Sequence, residues 1–449
     1  MNTRPLAPLP IPPHTHIATI YPQLDKALRG EASLLPIPTT DPARASMLCE
    51  VMRAGDPIAT DIAVILSTSG STGIPKGAQL TATALTASAS ATTAALGGPG
   101  QWLLALPPDH VAGLQVLLRS LAAGYEPVLM DTRHTFTPHT FVDAINHMTG
   151  HRRYCSLVPT QISRLLHAVE HGKQPISTTA LVDTVASLDA ILVGGAPLST
   201  TMLNSCKELG WRLITTYGSS ETAGGIVYNG TPLPGTTIRI QPLNATHDGS
   251  EGRILLGGPT LASGYRNADI LFNSDDHNNP SHHSNTDPSR TNTTNPFVGG
   301  WFITDDIGRL RANKLEILGR YDQAINTGGL KVLPEIVETA ARRAGYTDCA
   351  VLGIPSQEWG ESVCLVIEDT PHATTFHSQR PRILNSEATQ RIRARLDLPA
   401  HALPTTIALI TTIPLRGPGK TDRHTLRQLL ATAQPPKPHP THTTGERNT

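Results

Sequence analysis

The stretch IAVILSTSGSTGIPKG, residues 62–77, guides the interpretation of the whole chain. Its apolar start predicts a buried strand, and the Ser, Thr and Gly residues that follow can wrap backbone N–H and hydroxyl groups around an anion. Lys76 adds a mobile positive charge suited to phosphate oxygens. It is not a Walker loop, because glycine follows the lysine where that loop has Ser or Thr. A phosphate-binding loop is predicted here, since a flexible Gly/Ser linker would not explain the lysine and proline at this spacing.

Short apolar runs alternate with helical patterns from about residue 61 to 270. The runs interpreted as strands are IAVILST, QWLLALP, YEPVLM, YCSLVP, LDAILVGG and WRLITTYG, with helices at TATALTASASATTAALG and PTQISRLLHAVEHG. Strand and helix in turn predict an α/β architecture with a largely parallel sheet. From about residue 231, TTIRIQPL, EGRILLGG and KLEILGR predict antiparallel strands in a smaller β-rich unit.

The pattern restarts after Arg320, with a helix at PEIVETAARRAG and strands at CAVLGIP and SVCLVIED. The predicted fold class is therefore α/β: a large N-terminal domain of layered α/β subdomains plus a small β-rich subdomain, then a small, mobile α+β domain. The expected divisions are an N-terminal extension or truncated first subdomain at 1–60, a large domain at 61–320, a small mobile domain at 321–431 and a disordered tail at 432–449. Residues 275–296 have almost no apolar content and predict a disordered insertion.

Charge and cysteine usage exclude several classes of protein. Lys+Arg and Asp+Glu both number 36, so the chain has no net charge to favour nucleic acid or a membrane surface. The five cysteines have no CxxC or zinc-finger spacing. There is no secretory signal and no run of about 20 apolar residues. We expect a cytoplasmic protein with no nucleic-acid partner and no membrane span.

Six motifs together resemble the adenylate-forming superfamily of acyl-CoA synthetases, luciferases and peptide-synthetase adenylation domains. Thr68 to Gly77 matches the superfamily's T-S-G-[ST]-T-G-x-P-K-G element. The other five follow in the superfamily's order: VGGAPL (193–198), TTYGSSE (215–221), GWFITDD (300–306), LGRYDQAINTGGLKVLPEIVE (318–338) and GPGKTDR (417–423). One such motif would be a weak signal, whereas six in order are specific.

The resemblance implies a site for ATP and Mg²⁺. Tyr217 would lie against adenine, Ser220 would bond the α-phosphate, and Glu221 would offer a carboxylate to the metal. Asp306 would accept hydrogen bonds from the ribose hydroxyls. Beside it, Asp305 stands where the superfamily usually has glycine. The expected ATP-binding residues are Thr68, Ser69, Gly70, Ser71, Thr72, Gly73, Lys76, Gly195, Ala196, Tyr217, Gly218, Ser220, Asp306 and Arg320.

The C-terminal motifs imply the remaining roles. Lys420, with Lys76 and Glu221, would form the catalytic set, because a lysine on a loop can bridge a carboxylate nucleophile and the α-phosphate. Asp322 matches the hinge about which the small domain rotates. Gly328 and Gly329 would lie near the thiol arm of coenzyme A. Thr421 is a candidate cap for the last helix.

Four longer segments resemble the o-succinylbenzoate–CoA ligases of menaquinone biosynthesis, in their short actinobacterial form. They are residues 106–124, 156–161, 217–233 and 327–338. The resemblance implies adenylation of 2-succinylbenzoate by ATP, then transfer to coenzyme A, with release of AMP and pyrophosphate. His110, Gly194 and Gly224 would line the acyl pocket. A basic residue for the second carboxylate is expected but not identified, and a homodimer is possible.

Two other interpretations stay open. One is another adenylating enzyme: an aryl- or fatty-acid ligase, or an enzyme that loads a carrier protein. The other is a non-catalytic nucleotide-binding or interaction protein on the same scaffold. Loss of Lys76, Glu221 or Lys420 would favour the latter, and all three are present.

Overall fold

The computed structural model describes residues 2–68, 74–131, 135–172, 176–242, 251–272, 295–369, 381–416 and 420–433, except the side chains of His14, Thr15, Arg416 and Lys420. Two compact units are present, Met1–Ile317 and Leu318–Thr449. Of the predicted insertion only residues 295 and 296 are described, and of the predicted tail only 432 and 433. Among the described residues, no helix is long and apolar enough to cross a membrane.

A seven-stranded sheet forms the centre of the first unit. In spatial order its described strands are Thr231–Pro232, Gly224–Tyr228, Leu213–Ser219, Ala190–Val193, Arg153–Leu157, Gln101–Leu104 and Val128–Leu129. The last five of these are parallel, and the first two are antiparallel additions at one edge. The prediction of a largely parallel sheet is thus confirmed.

Helices cover both faces of this sheet, because alternate residues of each strand point to opposite sides. Trp102 and Leu104 pack into one hydrophobic cluster, while Leu103 packs into the other. Such two-sided burial explains why these strands are continuous apolar runs. The unit's helices are Tyr21–Leu28, Pro42–Val51, Ala82–Ala95, Val111–Ala123, Pro138–Asn146, Pro159–His171, Thr178–Ala186, Thr200–Glu208 and Ala268–Phe272.

A separate four-stranded sheet carries the strand before the phosphate-loop motif. Its order is Ala7–Ile11, Leu34–Pro38, Ile62–Thr68 and Lys76–Thr81, with the first three parallel. Thr3–Pro5 pairs with Pro57–Ala59 beside it. Residues 2–60 are therefore not an extension separate from 61–320: two of their strands pair directly into the sheet that holds Ile62–Thr68.

The β-rich part of the first unit is a five-stranded sheet. Its described strands are Thr237–Pro242, Glu251–Gly257, Trp301–Arg311, Phe297–Val298 and Lys314–Arg320. The first three pair antiparallel, which confirms the predicted strands at TTIRIQPL and EGRILLGG. The predicted strand at KLEILGR is Lys314–Arg320, which pairs with Trp301–Arg311. The division between the two units falls inside the last strand, a few residues before the expected boundary at 320.

The second unit is an α+β fold around a mixed sheet. Its described strands are Leu330–Val332, Ile325–Thr327, Gly360–Glu368, Cys349–Ser356, Thr406–Ile410 and Arg382–Ile383, with helices Pro334–Arg343, Ser386–Arg393 and Arg423–Ala431. A short hairpin pairs Leu415–Arg416 with Lys420–Thr421. The last helix is capped by Asp422, whose carboxylate accepts from the N–H groups of His424 and Thr425. The prediction of Thr421 as the cap was wrong, because Thr421 is still in the strand.

Candidate active site

The phosphate-loop motif lies between two paired strands. Thr68 ends one strand and stands opposite Lys76, which begins the next. Residues Ser69–Gly73 lie outside the described part of the chain. Asn267 fixes the far side of the loop: its Oδ1 accepts from Gly77 N–H at 3.1 Å, and its Nδ2 donates to the Pro75 carbonyl at 2.8 Å. The described residues on either side of Ser69–Gly73 are thus held by strand pairing and by a distant asparagine.

Tyr265 brings two predicted catalytic residues, Lys76 and Glu221, to one place. Glu221 lies on the 3₁₀ turn Ser220–Thr222 and is buried. The hydroxyl of Tyr265 donates to Glu221 Oε1 at 2.8 Å. The ammonium of Lys76 lies 5.7 Å from the centroid of the same ring. A carboxylate and a lysine beside a phosphate loop form a suitable setting for a metal-bound triphosphate.

The predicted adenine and ribose residues are joined directly. Tyr217 Oη donates to Asp306 Oδ2 at 2.7 Å. The neighbouring Asp305 instead accepts from the guanidinium of Arg253 at 2.6 Å. The extra charge at the superfamily's glycine position is therefore paired with an arginine, and Asp306 is the acid that faces Tyr217.

Gly218 is required by a close approach of two strands. A Cβ at this position would lie 2.1 Å from the Gly224 carbonyl, where the register of the two strands shifts. Gly194, Gly195 and Ala196 follow the strand Ala190–Val193, at the carboxyl end of the parallel sheet. In open α/β sheets, ligands bind at this end of the strands.

The predicted acyl-pocket residues His110 and Gly224 are linked by one face of the helix Val111–Ala123. His110 precedes this helix and is 38% exposed, with Nε2 3.9 Å from Asp109. The side chains of Val111 and Gln115 flank Gly224. The amide of Gln115 donates to the Ala223 carbonyl at 2.8 Å.

Arg119 lies one turn further along that face and is only 4% exposed. Its guanidinium lies 4.9 Å from the Trp102 ring centroid, and its Nε has no hydrogen-bond partner among the described residues. Burial lowers the pKa of Arg119, and within the described chain only the phenol of Tyr228 opposes that shift. Among the described residues no carboxylate balances this buried cation, and such a charge is costly to keep, which makes Arg119 a candidate anion site.

The second unit holds the remaining predicted residues. Arg320 donates two parallel hydrogen bonds to Asp322, at 2.9 and 2.8 Å. Gly328 and Gly329 form the two-residue turn between Ile325–Thr327 and Leu330–Val332, and both have the positive φ that a type I′ turn needs. The backbone of Lys420 pairs with Arg416 in the short hairpin.

Three residues of the candidate site were missed from sequence. Tyr265 lies outside every motif considered, and nothing near it signals a role. Arg253 is an ordinary alternating residue of a strand. Arg119 did leave a signal: it is a lone cation in VAGLQVLLRSLAA, a helix that is otherwise almost wholly apolar.

Comparisons with known proteins identify the family of the chain. The family model described as AMP-binding enzyme matches residues 19–266. A probable 2-succinylbenzoate–CoA ligase of Mycobacterium tuberculosis is 37% identical over 431 residues, covering 94% of this chain and 98% of the relative. A 2-succinylbenzoate–CoA ligase of Listeria monocytogenes is 28% identical, covering 82% of this chain and 70% of the relative.

Solved structures share the fold. The o-succinylbenzoate CoA synthetase from Bacillus subtilis, in complex with its acyl-adenylate intermediate, is 24% identical with a TM-score of 0.61, covering 92% of this chain and 82% of that one. The Escherichia coli enzyme is 21% identical with a TM-score of 0.65, covering 95% and 88%. The chain therefore belongs to the family of AMP-binding enzymes, in which it is related to the 2-succinylbenzoate–CoA ligases.

Proposed function

We propose that the protein joins 2-succinylbenzoate to coenzyme A with ATP as the activating co-substrate, releasing AMP and pyrophosphate. The near full-length similarity to a probable 2-succinylbenzoate–CoA ligase supports this assignment. The ordered set of motif residues supports the chemistry, because Lys76 and Glu221 meet at Tyr265 while Tyr217 meets Asp306.

Arg119 is the observation that carries the substrate choice. 2-Succinylbenzoate has two carboxylates, and activation of one leaves the other as an anion that the pocket must accommodate. The buried guanidinium of Arg119 shares a helix face with Gln115 and Val111, which flank Gly224. A planar guanidinium suits a carboxylate because it offers parallel donors. Fatty acids and benzoate lack this second anion, so they would leave the positive charge of Arg119 without a counter-charge.

In the first half-reaction, a substrate carboxylate oxygen attacks the α-phosphorus of ATP. The P–O bond to the β-phosphate breaks and pyrophosphate leaves, giving a mixed anhydride of the acid and AMP. Lys76 would hold phosphate oxygens, Ser220 the α-phosphate, and Asp306 with Arg320 the ribose. Lys420 would bridge the attacking carboxylate and the α-phosphate, which offsets their repulsion.

Glu221 fits the Mg²⁺ that this chemistry uses. Mg²⁺ is usually bound by one or two carboxylates plus substrate phosphates rather than by an all-protein cage. Glu221 is one buried carboxylate, and the described residues contain no cluster of three or more metal-binding side chains. When bound, Mg²⁺ neutralises charge on the phosphates as pyrophosphate leaves.

In the second half-reaction, the sulfur of coenzyme A attacks the carbonyl carbon of the anhydride. The C–O bond to AMP breaks, the thioester forms, and the thiol proton passes to solvent. We propose that rotation about Asp322 replaces Lys420 by the Gly328–Gly329 turn between the two half-reactions. A turn without side chains would leave room for the thiol arm.

Location and assembly are part of the same proposal. All five cysteines are free and four are buried, which suits a reducing cytoplasm. A homodimer is proposed on family likeness, and light scattering on the purified protein tests it.

The deciding experiment measures AMP release that depends on both ATP and coenzyme A. The panel is 2-succinylbenzoate, benzoate, succinate and a medium-chain fatty acid, each with wild type and Lys420→Ala. We expect turnover with 2-succinylbenzoate alone and a loss of the adenylation step in the variant. Turnover with another acid would contradict the substrate, and no turnover with any acid would favour a non-catalytic protein.

A further inference from the structure

Tyr265 makes contacts that packing alone does not require. It is 5% exposed and lies between two residues of different motifs. Its hydroxyl donates to Glu221 Oε1 at 2.8 Å, and its ring is 5.7 Å from the Lys76 ammonium. One side chain thus contacts both the proposed metal carboxylate and the proposed phosphate lysine.

The backbone around Tyr265 is fixed to the same two motifs. Tyr265 forms a β-bridge with Ala78, two residues after Lys76. The Arg266 N–H donates to the Gly77 carbonyl at 2.8 Å, and the Ala262 N–H donates to the Glu221 carbonyl at 2.8 Å. These bonds set the distance between the phosphate-loop strand and the Glu221 turn.

Aromatic neighbours hold the ring in place. Phe297 packs edge-on against it with centroids 5.4 Å apart, and Phe272 lies at 6.2 Å on another side. A phenylalanine at position 265 would keep these contacts and the ring beneath Lys76. It would lack only the hydroxyl that meets Glu221.

We propose that Tyr265 is a positioning residue for metal-bound ATP: its hydroxyl orients Glu221 toward the metal, and its ring face guides the Lys76 ammonium toward the phosphates. The proposal rests on the proposed function for the identity of the site, and adds a residue outside all six motifs. A carboxylate that accepts a hydrogen bond through one oxygen keeps its other oxygen in a defined direction. A cation held over a ring keeps its charge near the site without an ion pair that would compete with phosphate.

The hydroxyl and the ring make separable predictions. Tyr265→Phe removes only the hydroxyl, so metal-dependent binding should weaken while metal-free binding stays unchanged. We expect the Kd of MgATP to rise about tenfold, as for loss of one charge-assisted hydrogen bond. The Kd of ATP in excess chelator should match wild type. Tyr265→Leu also removes the ring face, so its metal-free Kd should rise as well.

Calorimetric titration with MgATP, and with ATP in chelator, measures both constants without turnover. Binding of Mn²⁺ in the presence of ATP, followed by electron paramagnetic resonance, reports the metal directly. Tyr154→Phe is the matched control, because Tyr154 is a buried tyrosine whose hydroxyl donates only to the carbonyls of Leu96 and Gly98 among the described residues. It should lower thermal stability and leave both Kd values unchanged.

The outcomes separate this role from the proposed function. If wild type binds MgATP and Tyr265→Phe binds it equally well, the positioning role is wrong and the ligase assignment stands. If Tyr265→Phe raises the Kd of MgATP and the Kd of metal-free ATP by the same factor, the residue is structural only. If wild type does not bind MgATP, both proposals fail. Tyr265→Phe keeps the test valid even if Tyr265→Leu does not fold.

Discussion

Tyr217 donates a hydrogen bond from its hydroxyl to Oδ2 of Asp306, across 89 residues of sequence. The bond joins the strand that ends in the Glu221 turn to the long strand Trp301–Arg311. Asp305 and Asp306 lie where the register of this strand against Glu251–Gly257 shifts, and each acid has its own partner. Asp305 pairs with Arg253, which leaves Asp306 as the acid beside the proposed adenine platform.

Asp306→Asn should therefore weaken the binding of ATP far more than Asp305→Asn does. We expect the Kd of ATP to rise at least tenfold in Asp306→Asn, since charge-assisted hydrogen bonds to ribose would be lost. Tyr217→Phe should raise it only a few-fold, because one neutral donor is removed. Titration calorimetry on each variant measures these changes.

Asp305→Asn is the matched control. It should lower stability by roughly 1 kcal/mol through loss of its pairing with Arg253, and leave the Kd of ATP near that of wild type. A larger rise in the Kd of ATP for Asp305→Asn than for Asp306→Asn would reverse the assignment of the two acids.

Arg119→Met should separate substrate binding from stability. The change removes a buried charge that no carboxylate balances within the described chain, so we expect equal or higher thermal stability. The KM for 2-succinylbenzoate should rise by tenfold or more, as for loss of a charged hydrogen bond, while the KM for ATP stays the same.

Steady-state kinetics with each substrate varied in turn test the Arg119 prediction. Arg164→Met, on an exposed surface of another helix, is the control and should leave both KM values unchanged. An Arg119→Met enzyme with wild-type affinity for 2-succinylbenzoate would show that the second carboxylate binds elsewhere.

The central sheet was predicted well because each of its strands leaves a signal within a short stretch of sequence. Strands such as Ala190–Val193 are buried on both faces and appear as unbroken apolar runs. The strands Ala7–Ile11 and Leu34–Pro38 were missed because their prolines argue against a strand. They form because Ala7–Ile11 is an edge strand and Leu34–Pro38 is paired with Ile62–Thr68 only at Leu34, so the missing N–H groups can be tolerated.

The site was less predictable where it depends on contacts distant in sequence. Tyr265 meets Glu221 from 44 residues away, and no spacing rule connects them. Arg119 was overlooked because arginine on a helix usually faces solvent. In both cases the side chain matters because of what the fold places beside it.

Glu335 should make the stability of the second unit depend on pH. Burial raises its pKa above the usual 4.5, with Glu338 adding to the shift and Arg423 opposing it. An acid with a raised folded pKa contributes stability below its unfolded pKa and loses it as pH rises through the folded value. Glu335→Gln should thus unfold like wild type near pH 4.

At pH 8 the Glu335→Gln variant should be more stable than wild type by about 1 kcal/mol, because the Oε2 of Glu335 has no hydrogen-bond partner among the described residues. Thermal unfolding at both pH values provides the test. Glu368 also has a pKa raised by burial, so some slope should persist in the variant. A variant less stable than wild type at pH 8 would contradict the prediction.

Pro8 and Pro10 should protect an open sheet edge. The Ala7 N–H donates inward to Ser33, so the nitrogens at positions 8 and 10 face away from the neighbouring strand. Proline removes the donors that would otherwise recruit another strand. The double variant Pro8→Thr, Pro10→Thr should associate as concentration rises, as measured by light scattering.

Ala7→Thr is the control for that experiment, since it adds a β-branched residue to the same strand without adding an outward donor. It should keep the assembly state of wild type. Equal association of both variants would assign the effect to strand propensity rather than to the restored N–H groups.

Substitution of Arg423 should lower the stability of the second unit and slow both half-reactions. Its guanidinium donates to the Val351 carbonyl at 3.0 Å, to Gln323 at 2.7 Å and to Glu338 at 2.7 Å. Gln323 is next to the proposed hinge residue Asp322, and Arg423 follows Lys420 by three positions. Arg423→Gln leaves the buried carboxylate of Glu338 without this partner. The free energy of unfolding should fall by about 3 kcal/mol.

Arg423→Lys tests geometry apart from charge, because an ammonium cannot reproduce the planar fork that reaches three acceptors. We expect it to slow pyrophosphate release without coenzyme A, and also thioester formation from added acyl-adenylate, since Arg423 bonds Gln323 beside the proposed hinge and begins the helix that directly follows the strand of Lys420. Arg427→Gln, one turn along and bonded among the described residues only to the Gly353 carbonyl at 3.4 Å, should affect neither step. If Arg423→Lys slowed only one step, the arginine would serve either the lysine strand or the hinge, and the coupling between them would have to arise elsewhere.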